Sequence, residues 1–392
     1  MPQNASFASP ASTPLNPWRL GAVAVAVALL TACASTPLPP WPTTPPKAVQ
    51  TAPAPAATRA VPPPLGTQRT GVVTTPIAPS PSMAGEPEAA APAPSAEALP
   101  YSEAVAARFP APAVRYETPG LADGRRAFTT NAEATQWLRG LATSVKGSTR
   151  AELLDMGRSQ RGVPLQALVL TRASRTDVAA LDASGRPTVL LIGQQHGDEP
   201  APAEALLVMA RELSQGLLEP LLDRINVIVV PRANPDGAEA GTRVTANGID
   251  MNRDHLLLNT PEAQALAKLV RNYRPAAVLD AHEYTVVGRF LQKFGGIQRY
   301  DALLQHATTA NTPEFINKAA LEWFRQPMVS ALTAQGLTNE WYYTTSTNMD
   351  DRTISMGGTQ PDTGRNVNGL KNAVSMLVET RGVGIGRVEK LE

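Results

Sequence analysis

The run Thr188-Val-Leu-Leu-Ile192 most limits what this chain can fold into. Aliphatic and β-branched residues without polar alternation suit a strand buried on both faces. Behind it, Ala203 to Leu213 has helical spacing. Between the two lies Gly193-Gln-Gln-His196-Gly-Asp-Glu199-Pro200. The same grammar recurs downstream. Ile225–Val230 and Ala276–His282 read as further strands, and 261–273 as a helix starting at Pro261. Upstream, Thr130 caps a helical pattern with Ala134, Leu138 and Leu141 on one face, and Leu165–Leu170 reads as a strand. Residues 155–164 and 342–364 are turn-rich, 313–334 reads as helix interrupted by Pro327, and Val374–Arg381 as a last strand. Strands alternating with helices predict an α/β fold, with a twisted mixed, largely parallel sheet and helices on both faces. Such sheets carry their chemistry just beyond the carboxyl ends of the strands.

The amino-terminal third has another character. Twenty-five of the 37 prolines precede residue 125. Arg19 precedes an apolar run, Leu20 to Leu30, too short to span a bilayer but suited to the core of a signal peptide. Leu30-Thr-Ala-Cys33 follows and resembles the lipobox of bacterial lipoproteins, in which the cysteine is acylated; the alternative is a plain secretory signal cut nearby. Residues 34 to about 115 are rich in Pro, Ala, Thr and Ser, and lack the large apolar residues that offset ordering entropy. They read as a spacer, with a recognition ligand as the alternative. The expected organisation is a signal peptide over 1–32, a disordered linker over 33–115 carrying lipidated Cys33, and a catalytic domain over 116–392. By the same resemblance, Ala34 after the cysteine favours the outer membrane, facing the periplasm. A net charge of +1, with no block of like charges, gives no basis for a nucleic-acid surface.

One cysteine excludes a thiolate zinc site, so a metal must be held by His, Asp and Glu. There are four histidines: His196, His255, His282 and His306. His196 and Glu199, three apart at a strand–helix junction, are read as two zinc ligands. His282 ends another strand and can approach from the side. A catalytic zinc commonly takes two His and one Glu and keeps a position for water. Each imidazole then needs an acceptor for its other nitrogen, and Asp250 and Asp280 are both candidates.

The ordered set His196-x-x-Glu199, Asn234-Pro-Asp-Gly237, Arg243, Asn247-Gly-x-Asp250-x-Asn252-Arg253, Asp280-x-His282 and Val378-Glu379 resembles the zinc carboxypeptidase family, over roughly 115–392. The resemblance implies one zinc per chain on His196, Glu199 and His282. It implies Glu379 as the general base acting on a zinc-activated water, and Arg243 as the group that polarises the scissile carbonyl. Asn252 and Arg253 would hold the substrate's free carboxylate, and Asp250 would orient His196. Glu283 and Glu340 are rival bases, and Glu283 should point away from its neighbour His282 on a strand. His255 and His306 are read as carrying no chemistry, and Asp280 as structural. The sequence continues Asn252-Arg253-Asp254 where the family more often has a second Asn. The nearest candidates for a substrate-capping tyrosine are Tyr342 and Tyr343, at longer spacing than usual.

The expected activity is metallocarboxypeptidase hydrolysis of a peptide or muropeptide. The alternatives are a zinc amidohydrolase, either a deacylase or a peptidoglycan amidase, and a zinc-containing binding protein without catalysis.

Overall fold

The structure is a computed structural model that describes residues 116–387 and Lys390. The export signal, Cys33 and the linker expected over 1–115 lie outside the described residues. In chain order the elements are α1 (Asn131–Ser144), β1 (Arg150–Arg158), β2 (Pro164–Thr171), α2 (Val178–Ala183), β3 (Thr188–Gly193), α3 (Pro200–Gln215), β4 (Asn226–Val230), α4 (Pro235–Ala240), α5 (Pro261–Tyr273), β5 (Ala277–Thr285), α6 (Gly288–Phe294), β6 (Ala302–His306), α7 (Glu314–Ala319), α8 (Gln326–Ala334), β7 (Asn339–Trp341), β8 (Thr344–Thr345), β9 (Ile354–Ser355), α9 (Gly364–Leu370) and β10 (Val374–Val383).

Eight strands form one sheet in the order β1-β2-β4-β3-β5-β10-β6-β7. The central β4, β3, β5 and β10 are mutually parallel, while β1–β2, β2–β4 and β10–β6 are antiparallel. The sheet is therefore mixed and parallel at its centre, as expected. Strand period two divides the core between its faces. Val227 and Val229 of β4 pack with Leu138 of α1 and with Leu206, Leu207 and Leu213 of α3. Ile228 and Val230 point the other way, towards Leu266, Leu269 and Val270 of α5. Ile228 is fully buried, and burying such a side chain contributes roughly 2 kcal/mol. Thr130 opens α1 with a capping box, exchanging hydrogen bonds with Glu133.

Three elements depart from the sequence expectation. The turn-rich reading of 155–164 begins too early, because β1 runs to Arg158. This is an edge strand, half exposed and bulged between Asp155 and Gly157, so it has no continuous apolar run. The helix over 313–334 is not broken at Pro327. The helix runs on without a gap through a π-helical turn over Ala320–Arg325 into α8, and the wider i→i−5 bond from Gln326 N–H to Leu321 O lies just before Pro327, which has no N–H to donate. Helix α9 lies just beyond the turn-rich stretch and has no apolar periodicity. Thr363 caps it, and it buries Arg365, Asn366 and Asn368.

Candidate active site

Strand β3 ends at Gly193, and the next residues turn towards β5. Gln194 takes a left-handed φ of 49°. The loop is clamped against Asn234-Pro-Asp-Gly237: Asn234 N–H donates to Gln194 O at 3.0 Å, and Asn234 Nδ2 donates to Gln195 O at 3.2 Å. The approach is so close that a Cβ on Gly197 would sit 1.9 Å from the carbonyl carbon of Gly237. The turn signal read in the sequence thus serves to hold the His196 loop.

Glu199 stands at the N-cap of α3 without capping it. Its carboxylate is used elsewhere. His196 Nδ1 lies 2.6 Å from Oε1, His282 Nδ1 lies 2.8 Å from Oε2, and the backbone N–H of Glu283 donates to Oε2 at 3.1 Å. All three side chains are almost fully buried, and their ligand atoms lie within 4.8 Å of one another. Each outward nitrogen meets its own carboxylate: His196 Nε2 is 3.1 Å from Asp250 Oδ1, and His282 Nε2 is 3.0 Å from Asp280 Oδ1. A carboxylate only accepts, so both Nε2 atoms donate. Both Nδ1 lone pairs then face the Glu199 carboxylate and each other, at 3.2 Å. Acceptors facing acceptors at a buried point are the donor set for a cation, and two imidazoles with a carboxylate suit zinc.

The charges follow the same geometry. Burial raises the Glu199 carboxyl, but His196 and His282 outweigh it and hold the group well below its ordinary range. Burial likewise opposes ionisation of Asp250 and Asp280, yet the imidazoles beside them keep both low. Asp280 also accepts from Gln195 Nε2 at 2.7 Å, and Gln195 Oε1 accepts from His255 Nε2 at 2.6 Å. Asp280, one of the two candidate acceptors read from the sequence, thus takes hydrogen bonds from both His282 and Gln195, and Gln195 links it to His255, read from the sequence as carrying no chemistry. The signal for Asp280 was its spacing of two from His282 on one strand face; for His255 there was none.

Glu379 is brought to the ligands by strand pairing. It lies opposite His282 in the parallel β10–β5 register, so both side chains share one face. It is half-buried. Burial, with Glu199 adding, pushes its carboxyl up to about 7 against the pull of His282. Glu283 points to the other face, where it accepts from Ala201 N–H at 2.6 Å and pairs with Lys390 at 2.6 Å. Glu340 is two strands away, in register with Leu303, and caps its neighbour Trp341 N. His306 donates from Nδ1 to Ala307 O and meets Trp341 edge-on.

Arg243 leans on the ligand set from the exposed side. Its Nη2 is 2.9 Å from Asp250 Oδ2, and its Nη1 is 3.2 Å from His196 Nδ1 and 3.6 Å from Glu199 Oε1. Asn252, expected in the substrate clamp, is turned inward: Nδ2 lies 3.2 Å from His282 Nε2, and Oδ1 accepts from Gly364 N–H at 2.8 Å. Arg253 is exposed and donates to Asn252 O at 2.7 Å. Both tyrosines pack against the cluster of Tyr284, Val286 and Leu303. Tyr343 also meets Phe290 and Tyr300. For Tyr342, burial raises the phenol, with Glu379 adding, and Arg365 and Arg253 act on it in the opposite sense.

Known proteins resemble this chain as follows. The zinc carboxypeptidase family profile matches residues 134–385. Carboxypeptidase 2 of Trichophyton rubrum is 30% identical over 269 residues, 68% of this chain and 49% of that protein. Human carboxypeptidase D is 30% identical over 186 residues, 36% of this chain and 14% of that protein. A metallo-carboxypeptidase from Burkholderia cenocepacia superposes with a TM-score of 0.49 at 17% identity, covering 66% of this chain and 65% of the other. The chain spans about half the length of the fungal relatives it matches.

Proposed function

Because this chain belongs to the zinc carboxypeptidase family, we propose that it is a zinc metallocarboxypeptidase that cuts peptide bonds beside a free carboxylate. The observation that carries this reading is the convergence of His196 Nδ1, His282 Nδ1 and the Glu199 carboxylate on one buried point, with Glu379 in register beside His282. One zinc per chain, when bound, supplies Lewis acidity towards water and the scissile carbonyl. His196, Glu199 and His282 hold it. Asp250 and Asp280 keep protons on the outer Nε2 atoms, so the inner lone pairs stay available.

Glu379 takes a proton from the attacking water on its carboxylate and later delivers it to the leaving amine nitrogen. Arg243 donates to the carbonyl oxygen as negative charge develops there, a contribution typically on the order of 3 kcal/mol. Arg253 presents a planar fork that can bond both oxygens of a terminal carboxylate. Asn252 packs behind His282 and accepts from Gly364 N–H through Oδ1.

The proposal extends to location. Residues 1–32 direct export, Cys33 is lipidated, and residues 33–115 tether the catalytic domain to the cell envelope, at the outer membrane facing the periplasm. Peptides or muropeptides are the substrates expected there. The apolar run 20–30 directly before Leu30-Thr-Ala-Cys33 supports this. Loss of metabolic fatty-acid labelling in Cys33→Ala tests the anchor.

The test of the activity is mass-spectrometric profiling of products from a library of peptides, muropeptides and acylated amino acids, with and without a zinc chelator. Chelator-sensitive trimming from carboxyl ends is expected. Release of acyl groups alone would point to a deacylase, and unchanged hydrolysis in Glu379→Gln would overturn the base assignment.

A further inference from the structure

The described cleft holds one strong cation that no step above uses. Arg365 is 4% exposed and has no carboxylate within ion-pair distance among the described residues. Its Nε donates to Asn366 Oδ1 at 3.3 Å, and its Nη2 donates to Gly358 O at 3.1 Å and to Thr308 Oγ1 at 3.4 Å. Its Nη1 is buried and has no hydrogen-bond partner. A guanidinium stays charged in proteins, so a buried one without a counter-ion is strongly disfavoured unless an anion completes it.

Its position says what that anion belongs to. Arg365 is the second residue of α9. The residue before it donates its N–H to Asn252 Oδ1, and Asn252 Nδ2 lies 3.2 Å from His282. The ring of Tyr342 lies 5.8 Å from the guanidinium carbon; burial opposes its charge, as does Arg253, and Glu379 and Asp280 favour it from beyond ion-pair distance. The free Nη1 therefore lies on the side of the metal ligands that Asn252 and Glu379 share, where Arg243 and Arg253 are the cations already given to the scissile carbonyl and the terminal carboxylate. Its cover is thin. A Cβ on Gly357 would lie 3.1 Å from Nη2 and from Tyr342 Cε1, and 3.4 Å from Nη1. A ligand would reach the guanidinium by displacing Tyr342 and Gly357 from it.

We propose that Arg365 is a specificity-determining residue that selects substrates whose carboxyl-terminal residue carries a side-chain carboxylate, glutamate or aspartate. The inference rests on the metallocarboxypeptidase reading. The terminal carboxylate goes to Arg253 and the side-chain carboxylate to Arg365, so each anion meets one planar fork. A site built around a buried charged donor rejects the uncharged isostere, because the donor is then left unpaired.

The test uses the zinc-loaded full chain and acyl-dipeptides ending in Glu, Gln, Leu or Lys, with kcat/KM measured for each. In parallel, calorimetry measures binding of N-benzoylglutamate and N-benzoylglutamine. The expected result is at least tenfold preference for Glu over Gln in both measurements. That ratio should fall to within about twofold of unity in Arg365→Met and survive in part in Arg365→Lys. Reading a ratio within each variant removes losses common to both ligands, such as partial misfolding. Equal cleavage of Gln, Leu or Lys termini by the unaltered chain would overturn the inference, as would a Glu/Gln ratio that Arg365→Met leaves unchanged. If no terminus is cleaved but the calorimetric gap persists and Arg365→Met abolishes it, the anion subsite stands and the hydrolytic reading falls. Cleavage without any gap means the reverse.

Discussion

His255 makes the stability of this domain depend on pH in a defined window. It is buried, and its Nε2 is held 2.6 Å from Gln195 Oε1. Burial is the largest influence on the ring and, with Lys371 and His282, outweighs Asp280 and Asp254 to hold it down to about 4, against an ordinary 6.5. Between those values the unfolded chain binds a proton that the folded chain refuses. The contribution of His255 is therefore constant above about pH 7, falls as pH drops through 6.5, and is fully lost below about 4. A depression of that size corresponds to about 3 kcal/mol. The assay is urea unfolding of the metal-depleted protein at about pH 7.5 and about pH 4, for the unaltered chain and for His255→Gln. The glutamine can still donate to Gln195 but does not titrate. The fall in stability between the two pH values should be about 3 kcal/mol smaller in the variant. Any fixed destabilisation by the substitution cancels, because the comparison is made within each protein. Parallel declines would refute the reasoning.

Four further outcomes are expected. Glu379→Gln should lower kcat/KM by on the order of 10²- to 10⁴-fold with metal content unchanged, which activity assays and elemental analysis check together. Asp280→Asn removes the anionic acceptor from His282 Nε2 and should weaken zinc binding roughly 10- to 100-fold, read by competition with a chromogenic chelator. Gly197→Ala forces a Cβ into the Gly237 carbonyl carbon and should destabilise the domain by more than about 2 kcal/mol, seen in denaturant unfolding. Lys293 is buried and donates to Thr345 Oγ1 and to the carbonyls of Ser346 and Asp351. Lys293→Met should therefore loosen the β8–β9 hairpin and speed proteolytic nicking between 344 and 355, while nicking elsewhere stays unchanged.

Local chemistry is legible along one stretch of chain, and here it reached far. Consecutive apolar residues mark β3, β4 and the first half of β5 because a strand buried on both faces is built mainly of apolar side chains. Thr130 and Glu133 announce α1 because a capping box is a contact over three residues. His196 and Glu199 could be read as a pair because three residues at a strand–helix junction keep them together in any fold. Tertiary pairing decided the remainder. Glu283 is one residue from His282 and Glu379 is 97 away, yet the parallel β10–β5 register puts Glu379 on the face of His282 and turns Glu283 to the other. Asn252 looks like a free clamp in sequence, but is turned inward once Gly364 arrives from a distant helix. Arg365 looks like one more surface cation, since α9 has no apolar period to reveal it. Only the closing of Thr308, Gly358 and Tyr342 around it leaves a buried charge beside the metal ligands. Burial of a charge and the face of a strand are properties of which segments meet, and that is set by packing across the whole sheet.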